Sequence, residues 1–385
     1  MTQLVTTPMT IELQDIFRQY GSDYLERHAL SLEQLKAYSA ILNCRTEALG
    51  GHISVCDNCG HMEHSYNSCR NRHCPKCQTL AKELWVDKQS RDLLDVGYFH
   101  VVFTLPDDLN PLFYQNQEIL YNLFFKAVSE TLLELGQDKK YLGGLLGITA
   151  VLHTWGQNLM YHPHIHCIVP GGGLTVDKNW VSSRKKFFIP VKVLSKKFRG
   201  KFLFYLRRAK LFFFGSASQF NDPIYFADFI AKMYQKDWIT YCKPPFEDAS
   251  KVVQYLGRYT HRVAISNNRI LKLENGMVTF NWRDYKDGNK VKEMTLTAEE
   301  FMRRFMLHIL PSGFRKIRHF GLLSPRDKTK RISLCKKLTH TMSSIASIIR
   351  KPLEILQGIL GDKFNLCPSC GIGHLLRASP VLVTE

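Results

Sequence analysis

No stretch of the 385-residue sequence is apolar over the roughly 20 residues that a membrane-crossing helix takes, so no membrane partner is expected. The first residues, MTQLVTTPMTIELQDIF, have neither a basic start nor the continuous apolar core of a secretory leader. The expected compartment is therefore the cytoplasm. Internal repeats and long low-complexity linkers are also lacking, which excludes solenoids and tethered arrays. Acidic residues are scarce: 34 Asp and Glu stand against 52 Lys and Arg, a net charge of +18. Such an imbalance points to a polyanionic partner, nucleic acid first. Acid is missing altogether from residues 178–220, which hold twelve Lys or Arg. The run RKKFFIPVKVLSKKFRGKFLFYLRRAK, with Lys185 and Lys186 directly after its first residue as candidate DNA contacts, interleaves these charges with Phe and Tyr. It is either a phosphate-tracking surface with base-stacking rings or a basic helix whose aromatics face a core.

Cysteine, by contrast, is abundant. Eleven cysteines in a reducing compartment argue for metal binding or free thiols over disulfides. In CDNCGHMEHSYNSCRNRHCPKCQ, Cys56-x-x-Cys59 and Cys74-x-x-Cys77 are spaced as two knuckles that could close four thiolates around one structural zinc. His61, His64, Cys69 and His73 lie between them as spare ligands, knuckle supports or DNA-facing groups. Cys367 and Cys370 resemble half of a further knuckle, with Cys335 and His374 nearby to complete it, or are plain thiols.

Helical apolar spacing over residues 11–49, with Ser31 and Gln34 as a capping box, leads into this cluster, and a helix over QTLAKELWVDKQSRDLL leads out. This makes a helical zinc-binding domain of residues 1–95. A second domain, residues 96–330, opens with a strand, YFHVVFTLP, and an amphipathic helix over roughly 112–135. Strands GITAVLHTW and HPHIHCIVP follow, joined as a hairpin around 157–161. Next come strand DWITYCKPP, a helix over FEDASKVVQYLGRYTHRV with Asp248 as N-cap, and a three-strand meander turning at Asn275-Gly276 and Asp287-Gly288. Residues 331–385 read as a C-terminal tail.

Three histidines alternate in YHPHIHCIVPGGG, so on a strand His162, His164 and His166 share one face. Two histidines at i and i+2 on a rigid strand could hold a divalent cation against a scissile phosphate. A hairpin of residues 147–155 with 163–170 sets His153 opposite the 164–166 stretch as third ligand. Gln157 is the runner-up, and His162 is weaker because it sits at the loop edge beside Pro163. Three imidazoles suit zinc, manganese or nickel better than magnesium. Tyr255 and Tyr259, four apart in QYLGRYTHR, leave one helix face together, with Arg258, His261 and Arg262 supplying positive charge around them. A tyrosine attacking phosphorus stores the bond energy as a phosphotyrosine.

The ordered set CxxC...SCRNRHCPKC, HTWGQ...HPHIHCIVPGGG, YLGRYTHRVAISN and LPSGFRKIRHFGLL resembles the two-tyrosine HUH transposases of rolling-circle insertion sequences, the IS91-like group with its N-terminal transposase zinc-binding domain. The resemblance spans roughly residues 15–330. It implies an α+β fold, an antiparallel-sheet HUH domain flanked by helices. It implies His164 and His166 as metal ligands around Ile165, Tyr255 and Tyr259 as nucleophiles, and Cys56, Cys59, Cys74 and Cys77 on zinc. It leaves His153 a geometric inference. The implied activity is metal-dependent cleavage of single-stranded transposon ends with Mg or Mn, through a 5′-phosphotyrosine, and strand transfer to target DNA in the bacterial nucleoid. FRKIRHFGL would grip DNA or end a helix. The alternatives are a rolling-circle replication initiator or relaxase, and a non-catalytic zinc-dependent DNA-binding protein. Oligomeric state, end sequence and metal identity stay open.

Overall fold

The computed structural model describes residues 11–184, 188–246, 252, 255, 257, 263–285, 287–341, 351–361 and 364–381. Helix α1 (Leu13–Arg27) buries Leu13, Ile16, Phe17 and Tyr24 along one stripe. Helix α2 (Leu32–Leu42) starts at the expected box: Ser31 Oγ accepts from the Gln34 backbone, and the Gln34 side chain accepts from the Ser31 N–H. Strands β1 (Gly51–Cys56) and β2 (Met62–Tyr66) form an antiparallel hairpin, and α3 (Gln78–Ser90) starts directly after Cys77.

The central sheet is built from strands whose alternation assigns each residue a face. β3 (Tyr98–Thr104), β4 (Gly147–Trp155), β5 (Tyr161–Pro170), β8 (Thr240–Phe246) and β12 (Ile317–Gly321) pair antiparallel in the order β12-β4-β5-β3-β8. Phe99, Val101 and Phe103 of β3, Ile148, Ala150 and Leu152 of β4, and Ile165, Cys167 and Val169 of β5 line one face and enter the main core. That core is closed by α5 (Gln117–Gln137) and α6 (Val191–Leu206), which contribute Phe124, Phe125, Phe198 and Phe202. Pro244 and Pro245 fall on β8, an edge strand, where a missing N–H is tolerated. Between β5 and β8 lie the short pair β6 (Gly172–Leu174) and β7 (Trp180–Ser182) and helix α7 (Pro223–Gln235).

The amphipathic helix expected from residue 112 is interrupted. A short α4 (Asn110–Gln115) ends at Asn116, whose buried amide donates to the Phe212 carbonyl and accepts the Phe212 N–H, so the side chain ties down a neighbouring segment where the helix breaks. The meander appears as expected: β9 (Ile270–Glu274), β10 (Met277–Asp284) and β11 (Lys290–Thr297). Asn275 and Gly276 both take positive φ (50° and 75°), the conformation of a two-residue primed turn. Helix α8 (Ala298–Met306) packs with α1, α2 and the meander in a second core around Phe17, Phe280, Phe301 and Phe305. Helices α9 (Lys328–Leu338) and α10 (Pro352–Leu360) precede β13 (Leu375–Val381). β13 pairs antiparallel with β1, so the segment expected as a separate tail completes the N-terminal sheet in the order β13-β1-β2.

Candidate active site and metal centres

The face of the central sheet opposite the main core carries the polar positions of the same strands: His100 on β3, Thr149 and His153 on β4, and His164 and His166 on β5. The register His153↔His164 and Val151↔His166 sets His153 beside both other histidines. Ring centroids lie 5.5 Å apart for His153 and His164, 4.6 Å for His153 and His166, and 4.8 Å for His164 and His166. One ligand nitrogen from each lies within 4.8 Å of the others, the only all-histidine grouping of this kind among the described residues. His164 Nδ1 donates to the His162 carbonyl at 2.7 Å. His162 itself points outward, 3.4 Å from Asp107 Oδ1. The Gln157 amide donates to the Tyr285 hydroxyl in the turn.

A fourth histidine, not singled out from the sequence, completes the constellation. His100 Nε2 lies 2.8 Å from His166 Nδ1, with the ring planes 9° from parallel. Its Nδ1 lies 2.8 Å from the Tyr255 hydroxyl. Burial, then Lys243 and His164, hold the His100 pKa at about 3, so the ring is neutral. The available signal was one polar residue inside Tyr98-Phe99-His100-Val101-Val102-Phe103, on the face opposite Phe99 and Val101. Tyr255 reaches the site because Val252 packs with Tyr98 and Ile168, with Trp85 of α3 and Tyr255 against them. Tyr259, Arg258, Arg262, His261, Asp248, Lys185 and Lys186 lie outside the described residues.

The expectation of one zinc site from Cys56, Cys59, Cys74 and Cys77 is corrected. Cys74 and Cys77 gather with Cys44 and Cys69, whereas Cys56 and Cys59 gather with Cys367 and Cys370. The reason is the β1–β2 hairpin. Gly51 pairs with Tyr66 at its base and Val55 with Met62 at its tip. The four steps between the five residues of β2, at about 3.3 Å each, carry the chain about 13 Å from one end to the other. Cys44 and Cys69 flank the base, and Cys56 and Cys59 form the tip. At the base, the Cys77 sulfur is 3.5 Å from Cys44 Sγ and 3.6 Å from Cys69 Sγ. The hydrogen bonds it receives from Cys69 and Cys74 pull its pKa down, while Cys74 is pushed up by its bonds to Cys69 and Cys77. Four sulfurs this crowded fit a dication, which would let all of them ionise.

Arg72 and His73, between these cysteines, face inward. Arg72 donates to the carbonyls of Leu310, Pro311 and Phe314, and the Leu310 N–H points to His73 Nε2. The SCRNRHCPKC and LPSGFRK motifs thus meet in space. FRKIRHFGL is not a helix end: its Ile317–Gly321 part is the edge strand β12. Its Arg318 lies over the Phe125 and Phe314 rings and bonds Asn122. In the basic run, Phe198 and Phe202 are core, and Lys197 and Lys201 pair with Glu134. Lys192, Lys196, Arg207, Arg208 and Lys210 are exposed, as are Phe204, Phe212 and Phe214. The Phe212 and Phe214 rings lie parallel within 6°, 6.4 Å apart.

Comparison with known proteins identifies the family. A family model described as "Putative transposase" matches residues 147–331, spanning β4, β5 and Tyr255, and one described as "Transposase zinc-binding domain" matches residues 16–105. The chain is 44% identical, over 95% of its length and 94% of the relative's, to "Putative transposase y4qJ" of Sinorhizobium fredii. It is 29% identical, over 83% of its length and 77% of the relative's, to "Transposase for insertion sequence element IS801" of Pseudomonas savastanoi pv. phaseolicola. No solved structure matches it. No described helix is long and apolar enough to cross a membrane. With its histidine face, its cysteine knuckles and these relatives, the chain belongs to the IS91-like transposases that carry an N-terminal zinc-binding domain.

Proposed function

We propose that this transposase cuts single-stranded transposon ends with Tyr255 as nucleophile, at a phosphate held against His153, His164 and His166, and transfers the strand to target DNA. The observation that carries this reading is the continuous hydrogen-bonded line from the Tyr255 hydroxyl through His100 to His166. The three imidazoles suit a divalent cation, manganese better than magnesium, which would polarise the scissile phosphate when bound. His164 keeps its Nδ1 proton on the His162 carbonyl, leaving Nε2 as its ligand atom. If His166 likewise ligates through Nε2, its Nδ1–H donates to His100 Nε2. His100 then carries its proton on Nδ1 and donates it to the Tyr255 oxygen. That direction orients the phenol and stabilises the phenolate as its own proton passes to solvent, which returns one to the leaving O3′.

The Tyr255 oxygen attacks phosphorus, forming a phosphotyrosine on the 5′ side and breaking the bond to O3′, which leaves as a 3′-hydroxyl after taking up a proton. Rejoining reverses the exchange without ATP. Tyr259 is assigned the second cut, so that two ends are held at once, with Arg258 and Arg262 as phosphate contacts and Lys185 and Lys186 along the DNA path. Exposed Phe204, Phe212 and Phe214 beside Arg208 and Lys210 offer stacking surfaces for unpaired bases.

A labelled single-stranded oligonucleotide carrying an end of the element, incubated with Mn²⁺, tests the assignment. The intact chain should form a covalent adduct that Tyr255→Phe with Tyr259→Phe abolishes. An adduct that survives the double substitution overturns the tyrosine mechanism. No adduct from any single strand favours a DNA-binding role without cleavage.

A further inference from the structure

We propose that the chain carries a second zinc ion, in a ribbon split between its two ends, with Cys56 and Cys59 as one knuckle and Cys367 and Cys370 as the other. The two segments share a pattern, CDNCG and CPSCG, and fold alike. Gly60 donates to the Cys56 carbonyl at 3.1 Å, and Gly371 to the Cys367 carbonyl at 3.0 Å. Both glycines hold positive φ, 70° and 66°, which closes a Cys-x-x-Cys loop without Cβ strain. Backbone N–H groups point at the sulfurs as they do around bound thiolates. Asn58 and Cys59 donate to Cys56 Sγ at 3.4 Å each, and Gly373 donates to Cys370 Sγ at 3.3 Å.

The knuckles face each other across 308 residues of sequence, with Cys56 Sγ 3.7 Å from Cys370 Sγ and Cys59 Sγ 3.8 Å from Cys367 Sγ. A tetrahedron with metal–sulfur bonds of about 2.3 Å has edges of about 3.8 Å. Disulfides, at about 2.05 Å, are excluded by the same distances. The close approach depends on Gly373, where a Cβ would stand 2.5 Å from Cys56 Sγ. Around the sulfurs the ends are joined as strands: Asp57 N–H donates to the His374 carbonyl, His374 N–H donates to Asp57 Oδ1, and β13 continues the pairing along β1. Four thiolates leave no open position, so the ion is a structural clasp. It makes residues 364–381 part of the N-terminal module.

Zinc content of the full chain, purified without chelator, tests this independently of any DNA reaction. With His164→Ala and His166→Ala keeping zinc off the histidine site, about two zinc ions per chain are expected. Cys367→Ser with Cys370→Ser, and separately Cys56→Ser with Cys59→Ser, should each leave about one. In both variants protease should cut the segment after residue 361 sooner than in the unaltered chain. One zinc per chain with the cysteines intact, or two retained by Cys367→Ser/Cys370→Ser, would overturn the proposal. If the variants do not fold, cobalt titration of the unaltered chain decides. Tetrathiolate charge-transfer bands that saturate at two equivalents support the split ribbon, and saturation at one sinks it.

Discussion

A histidine inside an apolar strand is costly to bury unless its ring nitrogens find partners, and His100 is 3% exposed with both within 2.8 Å of one. Its neutrality, with burial holding its pKa at about 3, lets it sit beside a bound cation without opposing it. In the proposed site it touches the nucleophile and a ligand together, so its removal should lower the rate of adduct formation more than DNA binding. Partners that orient a metal-ligating histidine are typically worth about 10- to 100-fold in activity or metal affinity. His100→Ala is expected to slow the Mn²⁺-dependent reaction by that order, with the affinity for single strands held. A His100→Ala chain that reacts at the unaltered rate would remove His100 from the mechanism.

Between elements, the contact that governs Tyr255 is the approach of its segment to α3. Gly257 permits it: a Cβ there would lie 2.7 Å from Val86 Cγ2 and 3.7 Å from Lys82 Cγ. Overpacking of this kind costs typically about 1–3 kcal/mol or is relieved by a shift, and here a shift moves the tyrosine. Gly257→Ala should therefore reduce adduct formation, and adding Val86→Ala should restore much of it by vacating the overlap. A double variant no better than Gly257→Ala would show that the contact does not position Tyr255. The same helix begins directly after Cys77, so the base cysteine cluster anchors the support of the tyrosine segment.

Across the whole molecule, +18 of net charge is not a uniform coat. Lys197 and Lys201 are neutralised by Glu130 and Glu134 of α5, while Lys192, Lys196 and Arg208 stay exposed on or just beyond α6. Binding that releases counterions from single-stranded DNA weakens with salt by a log–log slope of roughly 0.7 per neutralised phosphate. Replacing Lys192, Lys196 and Arg208 with Gln should lower that slope by about 2, measured by fluorescence anisotropy across a salt series. An unchanged slope would place the DNA path elsewhere.

Local pattern alone determined much of this protein. Period-two alternation in HPHIHCIVP and the hairpin arithmetic of 153 against 164 put three histidines on one sheet face. The capping box at Ser31 and the turn at Asn275-Gly276 announced their own geometry, because each is satisfied by residues at most a few positions apart. Tertiary structure decided what required distant segments to meet. His100 and Tyr255, 155 residues apart, join only when β3 and the tyrosine segment pack on the same face. The spacing of Cys56-x-x-Cys59 and Cys74-x-x-Cys77 suggested a single site, yet the intervening strand β2 carries the pairs to opposite ends of a hairpin. Their partners come from before and after that hairpin and, for Cys56 and Cys59, from the far end of the chain. Thiolate spacing along a sequence says that a metal can be held, but the partition of the sulfurs between sites depends on where the backbone hydrogen bonds send the chain in between.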